Sequence, residues 1–298
     1  MMQLEAVKEK IRITKPVYSL AISMNRANRT TKALTIGMFI PVLVQMVIYF
    51  YGIYDNRWDF IQINPRDLTG GDFYRRMLRV QLNAAFPYFY TMTALIIGTN
   101  MYREEINEDT ITYTITKPLP RNYIFLQKYL AYLRISFFIS FPALSVSFWS
   151  SVLVSMVFDS NFNYGGRGTT LISYLAISTE NWIILIIGLL ILLATLGVVF
   201  VTTGLLLNRP LLVNLFIGFG ILIERILIDL IDNRIEPLYL AQNFIVRTLV
   251  GFDEAFAGFL RSREIFGFGL DGTIINSILI VFIGLWYGMR KSLEKEFW

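Results

Sequence analysis

Six stretches of the chain are apolar over lengths that can cross a bilayer, with most of the charge lying between them: 33–54, 83–101, 129–158, 182–207, 211–231 and 273–289. A helix needs about 20 predominantly apolar residues to span the hydrocarbon core. The pattern therefore predicts an all-α integral membrane protein with six transmembrane helices. On this reading 33–298 is one six-span domain, and 1–32 is a separate cytoplasmic or interfacial segment.

Within that leading segment the apolar positions follow a helical period. Leu4, Val7 and Ile11 share a face, and after Pro16 the residues Val17, Leu20, Ala21 and Met24 recur at i, i+3, i+4 and i+7. An amphipathic helix of this kind lies in a membrane interface or packs on another protein chain.

Polar residues inside the apolar runs are the next signal. Pro41 and Gln45 interrupt 33–54 and are tolerated where neighbours satisfy the freed carbonyl and the amide. Ser147, Ser151 and Ser155 recur at i, i+4 and i+8, a stripe suited to close helix packing or to the wall of a transport path. Arg134, one turn into the third run, has the reach to snorkel to the headgroups. Glu224, Arg225 and Asp229 place charge about 20 Å from the inner end of the fifth run. Arg225 and Asp229 are spaced to pair along a helix, and the trio reads as functional or as an outer-interface anchor.

Between the runs, 55–82 is a polar outer segment with a Gly70-Gly71 turn, and 159–180 is a short outer loop around Gly165-Gly166. Residues 208–210 make a minimal inner turn. In 232–272, Phe244, Leu249, Phe252, Phe256 and Phe259 fall at helical intervals, which predicts short helices on the outer face.

Charge placement supplies the orientation. All eight lysines fall on one side of this layout, whereas Arg57, Arg66, Arg75, Arg76 and Arg79 share the 55–82 segment. The lysine asymmetry puts both termini and 102–128 in the cytoplasm of a multi-pass plasma-membrane protein.

Composition narrows the chemistry. The chain is 55% hydrophobic and only 16% charged, against about 25% charged for soluble domains. It has no cysteine and no histidine, so thiol nucleophiles, zinc–thiolate sites and the usual neutral-pH base are missing. The net charge of +5 follows membrane topology and does not call for nucleic acid. A phosphate-cradling G-x-x-x-x-G-K-[ST] loop is absent; the nearest stretch, GLWYGMRKS at 284–292, has the wrong spacing. The expectation is a chain without catalytic, metal or cofactor residues of its own.

The most informative stretch is Arg103–Lys128, REEINEDTITYTITKPLPRNYIFLQK, a charged segment between two apolar runs. Glu104, Glu105, Glu108 and Asp109 come first, then Lys117, Pro118, Arg121 and Lys128, an order that suits a helix macrodipole. Pro118 and Pro120 stop any helix there. Thr110–Thr116 alternates like a strand, yet a strand between two spans would find no partner for its backbone groups.

An acidic pair, a short linker, Thr, an aliphatic-rich run, Lys-Pro-x-x-Arg and a Lys opening a membrane helix resemble the signature of type-2 ABC exporter permeases. Where that family usually has Gly before the Thr, this chain has Asp109. The resemblance implies an N-terminal elbow helix and a cytoplasmic coupling helix between spans 2 and 3. It also implies docking through Glu104, Glu105, Asp109, Thr110, Lys117, Pro118 and Arg121 onto a separate ATPase subunit, which would bind the ATP and Mg. A second permease subunit, identical or homologous, is implied as well, since such permeases work as pairs. The expected function is to couple the partner's ATP hydrolysis to substrate movement across the membrane. The alternative is a non-transporting scaffold that anchors an ATPase or assembly complex.

Overall fold

Two helices much longer than a bilayer is thick pack antiparallel to each other. They are Arg121–Phe158 (38 residues) and Leu171–Leu206 (36 residues). At 1.5 Å per residue each is about 55 Å long, against a hydrocarbon core of about 30 Å. The computed structural model describes residues 15–25, 28–55, 86–107, 121–158, 163–164, 167–168, 170–207, 210–226 and 270–294.

In chain order the helices are α1 (15–25), α2 (Arg29–Met38), α3 (Ile40–Asp55), α4 (Phe86–Asn107), α5 (Arg121–Phe158), α6 (Leu171–Leu206), α7 (Pro210–Ile226) and α8 (Leu270–Glu294). The described part is helical apart from a two-residue antiparallel pair, β1 (Asn163–Tyr164) and β2 (Arg167–Gly168), with Tyr164 opposite Arg167. Among the described residues, three helical stretches are long and apolar enough to cross a membrane: Arg29–Tyr51, Arg121–Val157 and Leu171–Leu206. Pro210–Phe219 is a shorter apolar helix.

Local chemistry explains the joints. Asn28 bends the chain between α1 and α2 with an extended ψ of 129°, and its side chain accepts the Thr30 N–H at 2.8 Å. Its own N–H still reaches the Met24 carbonyl at 3.1 Å, so the elbow is tight. The run expected as one helix over 33–54 starts earlier, at Arg29, and breaks at Phe39. Pro41 has no N–H to offer and its ring would clash with the Gly37 carbonyl; the Phe39 N–H turns back to Ile36 instead, at 3.0 Å. Thr170 caps α6 by accepting the Ser173 N–H at 3.3 Å.

Two boundaries differ from the expected layout. The outer loop foreseen over 159–180 is helical from Leu171 onward, and the third span begins at Arg121 in place of Tyr129. Arg134 therefore lies well inside a long helix, not one turn from its start. Both helices continue past the apolar stretch because the added turns are packed: Lys128 and Phe125 lie against Met101 of α4 and Gly288 of α8, and α5 and α6 pack on each other along their length. Tyr129 and Tyr132 donate to the Ala194 and Leu193 carbonyls at 3.1 Å. At the other end Trp182 donates to Ser145 at 3.2 Å, and Tyr174 lies 2.6 Å from Ser155 Oγ.

The core gathers around the C-terminal half of α6, where Leu192, Leu193, Leu196, Val198, Phe200, Val201 and Leu205 are buried. The helices α4, α5, α7 and α8 all pack on α6. Small residues let them approach: a Cβ at Gly98 would meet the Phe200 Cβ at 2.8 Å, and one at Gly197 would overlap the Tyr132 ring. The N-terminal half of α6 is different, with Leu171, Ile172, Ile183 and Ile187 exposed. The faces of α3 (Leu43, Val47, Phe50), α7 (Leu212, Phe216) and α8 (Ile278, Phe282, Trp286) are likewise exposed and apolar.

Candidate functional site

Among the described residues, three polar clusters interrupt the apolar packing and tie helices together. The first joins α4 to α5. Lys128 is 1% exposed; its Nζ donates to the Met101 carbonyl at 2.8 Å and stands 3.9 Å from the centroid of the Tyr102 ring. A buried ammonium is costly unless it is hydrogen-bonded and compensated. The charge-assisted bond, at about 1.5–3 kcal/mol, and a desolvated cation–π contact, at about 2 kcal/mol, offset that cost. The site is near the C-terminal end of α4, where the helix dipole also favours a cation. The ends of α4 and α5 that bracket 108–120 are thereby held against each other.

The second cluster joins α3 to α5. Gln45 Nε2 donates to the Tyr49 hydroxyl at 2.6 Å and to Ser151 Oγ at 2.6 Å, with the Ser147 carbonyl oxygen 3.1 Å away. Ser147 Oγ donates to Gln45 Oε1 at 2.5 Å, and Ser151 Oγ donates to the Ser147 carbonyl at 2.8 Å. The Tyr49 and Ser151 hydroxyls are 2.5 Å apart; with Ser151's proton on Ser147, Tyr49 is the donor. Every proton in the group then has an acceptor, as burial requires.

The third cluster joins α4, α6 and α7. Asn214, fully buried, donates to Thr99 Oγ1 at 2.7 Å and accepts from the Thr203 hydroxyl. Thr99 passes its own proton to the Leu95 carbonyl at 2.6 Å.

Gln45, Ser147 and Ser151 thus come together as a helix–helix joint, while Ser155 of the same stripe faces α6 through Tyr174. Glu104 and Glu105 fall in the last turn of α4, and Arg121 is the first residue of α5. Glu224 and Arg225 fall in the last turn of α7. Asp109, Thr110, Lys117, Pro118 and Asp229 lie outside the described residues, as do the expected coupling helix and outer-face helices. No group of acidic residues that could hold a metal ion occurs among the described residues.

Lys128 was visible in sequence only as a cation at the start of a span, yet it is one of the most buried large side chains. Asn214, an amide in the apolar run PLLVNLFIG, carries the same sequence signal as Gln45. No family model matches this chain, nor does any curated protein or solved structure. Its functional reading therefore rests on the clusters above and on the 103–128 segment they frame.

Proposed function

We propose that this chain is the membrane-spanning permease subunit of an ATP-driven exporter, working as a passive gate that a separate ATPase subunit moves. The supporting observation is the Lys128 joint. It binds the end of α4 to the start of α5, so a push delivered to 103–121 acts on two membrane helices as one body. A charged segment on such a base is suited to receiving force; a loosely tethered loop would dissipate it.

In this proposal the chain crosses the plasma membrane six times with both termini in the cytoplasm, α1 is the elbow helix, and 103–121 contains the coupling helix. Glu104, Glu105, Asp109, Thr110, Lys117, Pro118 and Arg121 are docking residues, with Pro118 a rigid lever. ATP and Mg belong to the partner. A second permease copy or homologue pairs through α3 and α7, whose exposed apolar faces are uncovered in the single chain. The Gln45 and Asn214 clusters then hold the gate's helices together and do not bind cargo.

The test is whether the reading frames neighbouring this chain's gene include an ATPase with Walker motifs, and whether that ATPase co-purifies with the chain. Glu104→Ala with Glu105→Ala is expected to reduce both capture of the ATPase and its stimulation; unchanged values for both would remove the docking claim. Stimulated ATPase without cargo movement in vesicles would leave a scaffold.

A further inference from the structure

Arg134 is the last charged residue of α5; 135–158 contains none. Its side chain is exposed yet braced. Nη1 donates to the Tyr18 hydroxyl at 3.1 Å, and Cζ lies 5.9 Å and 5.8 Å from the ring centroids of Tyr18 and Phe138. Among the described residues no carboxylate pairs with it. One nitrogen is committed to Tyr18, and the other two are left to donate elsewhere. A guanidinium edge of that kind matches the two oxygens of a carboxylate.

An aromatic row leads away from this cation. Arg134, Phe138, Phe141, Ser145 and Trp149 recur at i, i+4, i+7, i+11 and i+15, which is one face of α5, and each is at least partly exposed. The rings follow one another closely. Phe138 is 6.0 Å from Phe137, Phe137 is 5.1 Å from Phe141, Phe141 is 6.0 Å from Trp182 of α6, and Trp182 is 6.1 Å from Trp149, between centroids. The indole of Trp182 is pinned in the row by its bond to Ser145 at 3.2 Å. From Phe138 to Trp149 the helix rises about 16 Å, close to half of a hydrocarbon core about 30 Å thick. That is the reach of one lipid chain.

We infer that Arg134 and this row form a binding site for a long-chain fatty acid, its carboxylate on the guanidinium and its chain along Phe138, Phe141, Trp182 and Trp149. Charge and width select this occupant. One cation balances one carboxylate, and a single row of rings seats a single chain. A phospholipid brings a second chain for which the row has no place. The inference needs membrane residence but not the transport reading.

Two tryptophans in the row supply the readout. The full chain carries Trp58→Phe, Trp286→Phe and Trp298→Phe, so that only Trp149 and Trp182 fluoresce. It is titrated in neutral detergent with dibrominated stearate, whose bromines quench indoles on contact. Saturable quenching is expected from the acid and not from its methyl ester, which has the same chain without the charge. Arg134→Gln should weaken the acid's binding by about tenfold or more, the worth of a charge-assisted hydrogen bond. Phe138→Glu, at a position 63% exposed, sets an acid one turn from Arg134 and should weaken binding similarly without removing the cation. Equal quenching by acid and ester would overturn the site, as would tight quenching that survives both substitutions. Stronger quenching by a dibrominated phosphatidylglycerol than by the acid would overturn it too. No ATPase is present, so failure here and failure of the docking claim are separate results.

Discussion

Gln45 and Ser151 are 106 residues apart in the chain and 2.6 Å apart in space. That contact closes a ring of four side chains that joins α3 to α5 with every proton satisfied. In a bilayer, where lipid offers helices no hydrophobic reason to associate, such joints and close packing are what hold a bundle together.

Gln45→Leu removes both the donors and the acceptor of that ring. The expected loss is about 1–2 kcal/mol, with a coupling of about 0.6 kcal/mol between Gln45→Leu and Ser151→Ala. Unfolding of the four members of the cycle in a denaturing-detergent titration measures both; zero coupling would deny the joint.

Lys128 separates volume from charge. Lys128→Ala empties a fully buried position and should cost about 2–5 kcal/mol, as other buried truncations do. Lys128→Met keeps most of the volume and removes the buried charge, so its stability should stay closer to wild type. ATPase stimulation by the co-purified partner should fall in both, because the α4–α5 joint is weakened in both. Full stimulation by Lys128→Met would show that the joint does not transmit force.

Two glycines predict opposite outcomes. Gly197→Ala drives a methyl into the Tyr132 ring and should destabilise by about 1–3 kcal/mol. Gly37→Ala meets nothing within 4 Å and should stabilise α2 by up to about 1 kcal/mol, the helix-propensity gain. Thermal unfolding in detergent ranks the two, and Tyr132→Leu beside Gly197→Ala should recover part of the loss.

The absence of cysteine makes topology directly testable. A single cysteine at Glu180, exposed on α6, should react with a membrane-impermeant maleimide added to intact cells. One at Thr110 should react only after permeabilisation. Reaction of Thr110→Cys in intact cells would invert the proposed orientation.

The helical class and the long apolar helices were legible because bilayer thickness and helical rise leave their mark on run length. The amides and hydroxyls of Gln45, Ser147 and Ser151 were legible as exceptions within apolar runs. Their partners were not: the period of a helix says which residues share a face, but not which other helix that face meets. The interval 171–180 was misjudged because its Ser, Thr, Glu and Asn read as loop, whereas packing on α5 carries the helix through them.

Composition and residue order alone settled that long apolar helices dominate this chain and that it lacks histidine and thiol chemistry. These are local or additive properties, written residue by residue. Folding settled which polar groups meet, that Lys128 is enclosed against Met101 and Tyr102, and that Arg134 is braced by Tyr18 from a helix over a hundred residues earlier. Those outcomes depend on how separate helices align in three dimensions, a register that no single helix encodes.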